Sequence, residues 1–335
     1  MLIYILRRLA LLLGLLIIMS GLTFVAVNLV PADPAVLAAG PGAQPEQIEE
    51  LRRQLGLDRP LWVQYRTYLL RLVRLDLGTS LITRSSIGED LARSFPATLE
   101  LTLVSALGFT VLGLVIGLIA ATTKRRFVES LLDAVAIVGV AVPAYWLALA
   151  MQLAFYRYLG WLPSGGRLHP AITPPPTFTG LYLVDSLLVG DIRVFVDALR
   201  HIAMPAVAVI LARMSILARM MKAGILDVQS KQFVMTAHAK GLTARRVLWR
   251  HVLKNALNPV VSALGLNIGY ALGGQLLVEM IFSWPGLGRY AVESIQAFDY
   301  PAVMGVALLM LVVFVALNLI VDLIYPILDP RVSLE

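Results

Sequence analysis

Six long apolar runs, separated by polar stretches, organise the 335-residue chain. A helix that crosses a bilayer needs about 20 predominantly apolar residues. The runs at 9–30, 99–122, 131–156, 202–218, 260–282 and 302–328 approach or exceed that length, so they predict six membrane-crossing helices in an all-α protein. The first follows Arg7 and Arg8, but it is longer than the roughly 7–15 apolar residues of a signal peptide and reads as a retained helix. The fourth is the weakest, because Arg213 interrupts it and Pro205 lies near its start.

Charge decides how these runs are threaded, since short loops rich in Lys and Arg stay on the cytoplasmic side. With six crossings and the N-terminus inside, the cytoplasmic segments hold Arg7, Arg8, Lys124, Arg125, Arg126, the eight Lys and Arg residues between Arg219 and Lys254, and Arg331. The short external loops keep Arg157, Arg167, Arg193, Arg200 and Arg289. Deleting the fourth run would put the most basic loop outside, so six crossings is the better count and both termini are cytoplasmic. The chain then reads as a single transmembrane domain over 1–335, with an external loop at 31–98 and a cytoplasmic loop at 219–256. Composition agrees, being 59% hydrophobic and 15% charged, too apolar for a domain surrounded by water. The net charge of +7 reflects this topology and lipid contact, not a nucleic-acid partner. Without cysteine, disulfides and thiolate metal sites are excluded.

The external loop has structure of its own. PEQIEELRRQLG offers Pro45 at a helix start and Gly56 as a stop. LWVQYRTYLLRLVRLDLG repeats Leu61, Tyr65, Tyr68, Leu69 and Leu72 at helical spacing, which fits either an amphipathic helix on the membrane surface or a helix capping the bundle. Gly113 and Gly117 in the second run, and Gly265, Gly269 and Gly273 in the fifth, recur every four residues. Such stripes let helix backbones approach closely.

The cytoplasmic loop contains TAHAKGLTARR. Gly241 can take the left-handed conformation that ends a helix, and Thr243 is a good N-cap for a new one at Ala244. This predicts a short helix near 232–240, a turn at Gly241 and Leu242, and a second helix running back toward the fifth run. A basic loop attracted to anionic lipid is one reading. A plug for a partner protein is the other, because Thr236, Ala237 and Ala239 keep one face slim.

The segment resembles the cytoplasmic signature of the membrane subunits of ABC importers, specifically the B-type permeases of the dipeptide, oligopeptide and nickel uptake family. That signature reads T-A-R-A-K-G-L followed by H-x-L-R-N-A, and here the chain has TAHAKGLTARRVLWRHVLKNAL. His238 stands where the peptide permeases have arginine. The blocks LGLDRPLWVQYRTYL, LDLGTSL, FPATLELT and VEMIFSWPGLGRYAVESIQAFDYPAVMG extend the resemblance over almost the whole chain. It implies the type I ABC importer permease fold, with short external amphipathic helices and a cytoplasmic coupling helix, in a bacterial or archaeal cytoplasmic membrane. It also implies a second, homologous permease subunit, two ABC ATPase subunits that use ATP and Mg, and an external substrate-binding protein. On that pattern Thr236, Ala237, His238, Ala239, Lys240, Gly241 and Leu242 couple to the ATPases. The chain itself has no G-x-x-x-x-G-K-[ST] loop to cradle phosphates, so it is expected to bind no cofactor and to be no enzyme.

Ionisable groups inside spans are functional candidates. Arg213, Glu279 and Asp322 qualify, each near enough to a predicted span end to reach the interface. Asn267, Gln275 and Glu279 are candidates for lining the pathway. FSWPGLG reads as a turn, and its Phe282, Trp284 and Pro285 are candidates for receiving the binding protein. His169, His201, His238 and His251 show no metal-ligand spacing, which argues against a metal site or a membrane-embedded enzyme. An ion-coupled secondary transporter would need a carboxylate near mid-span, and the first four runs offer none in their centres. Di- and oligopeptides are the expected cargo, with nickel or a metal chelate as the alternative.

Overall fold

The computed structural model describes residues 2–29, 34–39, 42–54 and 56–328, and its regular elements are helices. In chain order these are α1 (Leu2–Leu29), α2 (Pro34–Ala39), α3 (Pro45–Gln54), α4 (Leu61–Val73), α5 (Ile87–Thr122), α6 (Arg126–Ala141), α7 (Ala144–Met151) and α8 (Tyr182–Val189). They continue with α9 (Ile192–Gln229), α10 (Gln232–Ala239), α11 (Ala244–Val247), α12 (Leu253–Gly274), α13 (Leu276–Ile281), α14 (Leu287–Gln296) and α15 (Tyr300–Leu328). Wider π-helical turns extend α7 through Gln152–Tyr158 and join α11 to α12 through Leu248–Val252. The chain forms two compact units, one of Met1–Phe95 with Arg289–Val315, the other of Pro96–Gly288 with Ala316–Glu335.

In the first unit the aromatic face of α4 packs on α1. Tyr65 donates to the Ile17 carbonyl at 3.1 Å, and Phe24 lies 5.3 Å from the Tyr65 ring. The predicted Pro45 start and Gly56 stop of α3 coincide with the helix Pro45–Gln54 and a left-handed Gly56. Asp299, fully buried, accepts from Ser80 Oγ at 2.5 Å and from the Leu81 amide at 2.9 Å. It thereby ties the LDLGTSL turn to the start of α15.

The second unit is built around α9. Its core includes Phe109 of α5, Ile202, Leu217 and Ile225 of α9, and Val278 of α13. The α5 stripe works as the spacing predicts: a Cβ at Gly113 would lie 2.9 Å from the Met214 carbonyl oxygen, and one at Gly117 would lie 2.5 Å from that of Ala218. Gly273 differs, since no atom of the described residues outside its own stretch of helix lies within 4 Å of its added Cβ.

Among the described residues four helices are long and apolar enough to cross a membrane, Ile87–Thr122, Ile192–Gln229, Ala244–Gly274 and Tyr300–Ile320. A fifth crossing follows if the pair Arg126–Ala141 and Ala144–Tyr158 counts as one. The first predicted run falls in α1 up to Leu29, position 30 lying outside the described residues, and its described apolar stretch is Ala10–Leu22. The third predicted run is not a straight helix: it bends by 102° at Val142–Pro143. Proline pushes the residue before it out of the helical region, and Val142 is extended, with φ −97° and ψ 122°. The fourth run is much longer than predicted. Asp191 caps α9 by accepting from the amides of Arg193 and Val194, directly after Gly190 closes α8 with φ +77°. The fifth run ends at Gly274, and 276–281 forms the separate helix α13.

Candidate functional site

The elbow has the predicted outline. The α10 helix ends in a paired cap in which the Gly241 amide donates to the His238 carbonyl at 2.9 Å and the Leu242 amide to the Ala237 carbonyl at 3.3 Å. This is the Schellman arrangement, and it needs a left-handed residue at the turn; Gly241 has φ +77°. Thr243 occupies the N-cap position of α11, but its side chain makes no capping hydrogen bond.

Orientation corrects one expectation. Ala237 does not belong to an outward slim face: with Val234 it is buried against Val247, Val252 and Leu253. The outward face instead carries Phe233, Met235, Thr236, His238, Ala239, Lys240 and Gly241, with the half-buried Leu242 at its edge. Apolar Phe233 and Met235 are 45% and 59% exposed, and the basic Lys240, Arg245 and Arg246 of the same elbow are exposed as well. Exposed apolar side chains on a basic element suit a protein partner.

A second cluster brings together two of the blocks of sequence named above, with Gln275 just before the second. Thr98 Oγ1 donates to Glu279 Oε1 at 2.8 Å and accepts from the Leu287 amide at 2.7 Å, while the Gly288 amide donates to Glu279 Oε2 at 2.8 Å. Gln275 Nε2 reaches Thr102 Oγ1 at 2.7 Å, and Trp284 Nε1 donates to the Ala97 carbonyl at 2.8 Å. A Cβ at Gly286 would lie 2.3 Å from Glu279 Oε2, which is why that turn must be glycine. FPATLELT and VEMIFSWPGLG are thus one interlocked structure.

This cluster overturns two orientations. Asn267, Gln275 and Glu279 are 5%, 1% and 0% exposed, so they brace the chain from inside and do not line an open surface. Glu279 does not reach an interface, because both its oxygens are held. Phe282 and Trp284 are each 1% exposed; of the predicted docking trio only Pro285 is exposed, beside Ser283. Gln275 Oε1 and Asn267 Oδ1 have no hydrogen-bond partner among the described residues.

Other polar groups that brace the fold were invisible in the linear sequence. Arg167, read above as one loop charge among several, forms a buried ion pair with Glu100 at 2.6 Å and also donates to the Gly180 carbonyl. Asp185 accepts from the Thr179 and Gly180 amides, both at 2.9 Å. Burial alone would raise its pKa, but these bonds outweigh it and hold the carboxyl below the usual range. Arg213 lies inside the continuous helix α9, 21 residues after Ile192 and 16 before Gln229. The side chains of Arg7, Arg8 and Asp322, and all of Arg331, lie outside the described residues. No group of three or more His, Cys, Asp or Glu that could hold a metal occurs among the described residues.

Comparison with known proteins decides the family. Residues 113–334 match the binding-protein-dependent transport system inner membrane component, and residues 1–102 match the N-terminal model of the same kind of component. The chain belongs to this family of inner-membrane transport components. Among curated relatives of this permease, the "Probable D,D-dipeptide transport system permease protein DdpB" of Escherichia coli K12 is 41% identical over 96% of this chain and 95% of its own. The dipeptide transport system permease protein DppB of Alkalihalophilus pseudofirmus is 40% identical over 99% and 100%. Of solved structures, the MetNI methionine ABC transporter in an inward-facing form aligns with a TM-score of 0.55 at 16% identity, covering 72% of this chain and 96% of that one. An amino acid ABC transporter aligns with a TM-score of 0.53 at 14% identity over 71% and 94%. The permease therefore has the fold of ABC importer membrane subunits, and it is a multi-pass protein of the inner membrane.

Proposed function

We propose that this permease forms half of the translocation pathway of an ATP-driven importer of di- and oligopeptides. The observation that carries the reading is the elbow, a short helix closed by Gly241 whose exposed positions mix apolar Phe233 and Met235 with Thr236, His238 and Lys240 while its inner face is locked by Val234 and Ala237. The relatives named for dipeptides, similar from end to end, support the cargo.

On this reading a second, homologous permease subunit completes the pathway, and two ABC ATPase subunits bind ATP and Mg beneath. Closure of the ATPases pushes the outward residues Thr236, His238, Ala239, Lys240 and Gly241, and Ala237 and Leu242 pass that push to the helices behind them. The helices then rock as rigid bodies between outward- and inward-open states. The basic segment from Arg219 to Lys254 and both termini face the cytoplasm, as the distribution of Lys and Arg requires. An external binding protein delivers the peptide, meeting the exposed Ser283 and Pro285 on a turn that Phe282 and Trp284 hold in shape. Asn267, Gln275 and Glu279 stiffen the pathway wall from within.

The test is ATP hydrolysis by the full complex reconstituted in lipid, comparing wild type with the double variant Met235→Asp, Ala239→Arg. Both positions are exposed, so the permease should still fold. Stimulation by the binding protein should fall at least ~10-fold, the scale of losing a contact at the centre of an interface. Unchanged stimulation would reduce the elbow to a basic loop on lipid and remove this support for the reading.

A further inference from the structure

A charge in the middle of a membrane-crossing helix is costly and is kept for a reason. Arg213 lies within the apolar part of α9, among Leu211, Ala212 and Met214, and not in a loop. Its Nη2 donates to the Tyr270 carbonyl at 2.9 Å, and the guanidinium lies 5.9 Å from the Tyr270 ring centre. No ion pair of Arg213 with a carboxylate occurs among the described residues. A guanidinium has five N–H donors, and the Tyr270 bond engages one.

The surroundings of that guanidinium are hollow. A Cβ at Gly139 would lie 2.4 Å from the Leu211 carbonyl oxygen, so α6 rides directly on the α9 backbone there. Three residues later the chain breaks at Val142–Pro143 and turns by 102°, which opens a small cleft of about 230 Å³ lined by Val142, Pro143, Val209, Ala271, Gly274 and Arg213. Gly274 makes room for the charge, since a Cβ there would be 2.7 Å from Arg213 Nη2. Apart from the arginine, the side chains in the lining are apolar.

We propose that Arg213 recognises a carboxylate of the cargo in passage, and that the Pro143 cleft is where the C-terminal carboxylate of a translocating peptide pauses. The inference rests on the peptide-importer reading above. A planar guanidinium meets a carboxylate through two parallel hydrogen bonds, and every unmodified peptide carries an α-carboxylate whatever its side chains. Recognition there is independent of sequence. The Tyr270 carbonyl and ring keep the guanidinium aimed and partly compensated when no peptide is present, so the cargo is held weakly enough to leave.

The experiment uses the complete complex in proteoliposomes, with a dipeptide and its C-terminal amide each preloaded on the binding protein, and measures uptake per loaded binding protein. Wild type should take up the acid about tenfold faster than the amide, the scale of one modest charge-assisted contact. Arg213→Gln should lower acid uptake to the amide level while basal ATP hydrolysis persists, and Arg213→Lys should recover part of the preference. Gly274→Ala keeps the charge but displaces the guanidinium, and it should also narrow the ratio. Equal uptake of acid and amide by wild type, or an unaltered ratio in Arg213→Gln, overturns the inference and leaves the peptide reading standing. Wild type that transports neither form while hydrolysing ATP overturns the peptide reading, and the inference with it. Should the Arg213→Gln complex fail to assemble, Arg213→Lys and Gly274→Ala decide: a wild-type ratio in both overturns the proposal.

Discussion

The Glu279 cluster and the α10 elbow solve opposite problems. Around Glu279 the polar atoms of Thr98, Gln275, Glu279 and Trp284 are buried, and most are satisfied by partners far away in sequence. On α10 the polar and apolar side chains mostly face outward, and the element is anchored by little more than Val234, Ala237 and Leu242. Buried polar networks are unforgiving, because removing one partner strands another. An exposed helix tolerates substitution and reports it only when a partner is missing. The first region is therefore architecture, and the second, on the function proposed above, is an interface.

The largest expected effect lies in the buried region. Thr98→Val removes a donor to Glu279 and an acceptor for the Leu287 amide, leaving a buried carboxylate and amide short of partners. It should cost about 3 kcal/mol, read as a large drop in the thermal unfolding temperature of the purified permease. If the drop were no greater than that of the surface variant Met235→Asp, the contrast between the regions would fail. Trp284→Phe keeps the ring but loses the bond to Ala97, and should cost about 1–2 kcal/mol by the same assay. In the elbow, Gly241→Ala meets no atom within 4 Å and pays only the left-handed backbone, about 1–2 kcal/mol. Its thermal shift should stay small while binding-protein-stimulated ATPase activity falls further, which would separate coupling from folding.

The smallest effect is a pH dependence at Asp185. Its carboxyl is held below the ordinary value by the Thr179, Gly180 and Phe178 donors despite burial. Its contribution is thus present above an unfolded value of about 3.9 and disappears as pH falls through the lower folded value. Asp185→Asn should be less stable than wild type at neutral pH, and the difference should shrink below about pH 4. A difference that stayed constant down to acid would show that geometry, not charge, matters there.

Much of this was legible in the linear order of residues, for a physical reason. Membrane crossings are written as local runs of apolar side chains, and the elbow is written as a local cap: Gly241, with a helix on each side, needs no distant partner to be recognised. The α3 boundaries at Pro45 and Gly56 are of the same kind. Two local signals were also there to be used, Asp191 after Gly190 as the cap that lengthens α9, and Pro143 as the residue that breaks the third run. Which way a side chain points is not local. Ala237, Glu279, Phe282 and Trp284 looked available because a sequence has no inside; only the packing of α5, α9, α12 and α13 on one another turned them inward. The same packing left Arg213 facing a cleft, because the break at Pro143 and the absence of a side chain at Gly274, 131 residues further along the chain, happen in the same place only once the helices are assembled.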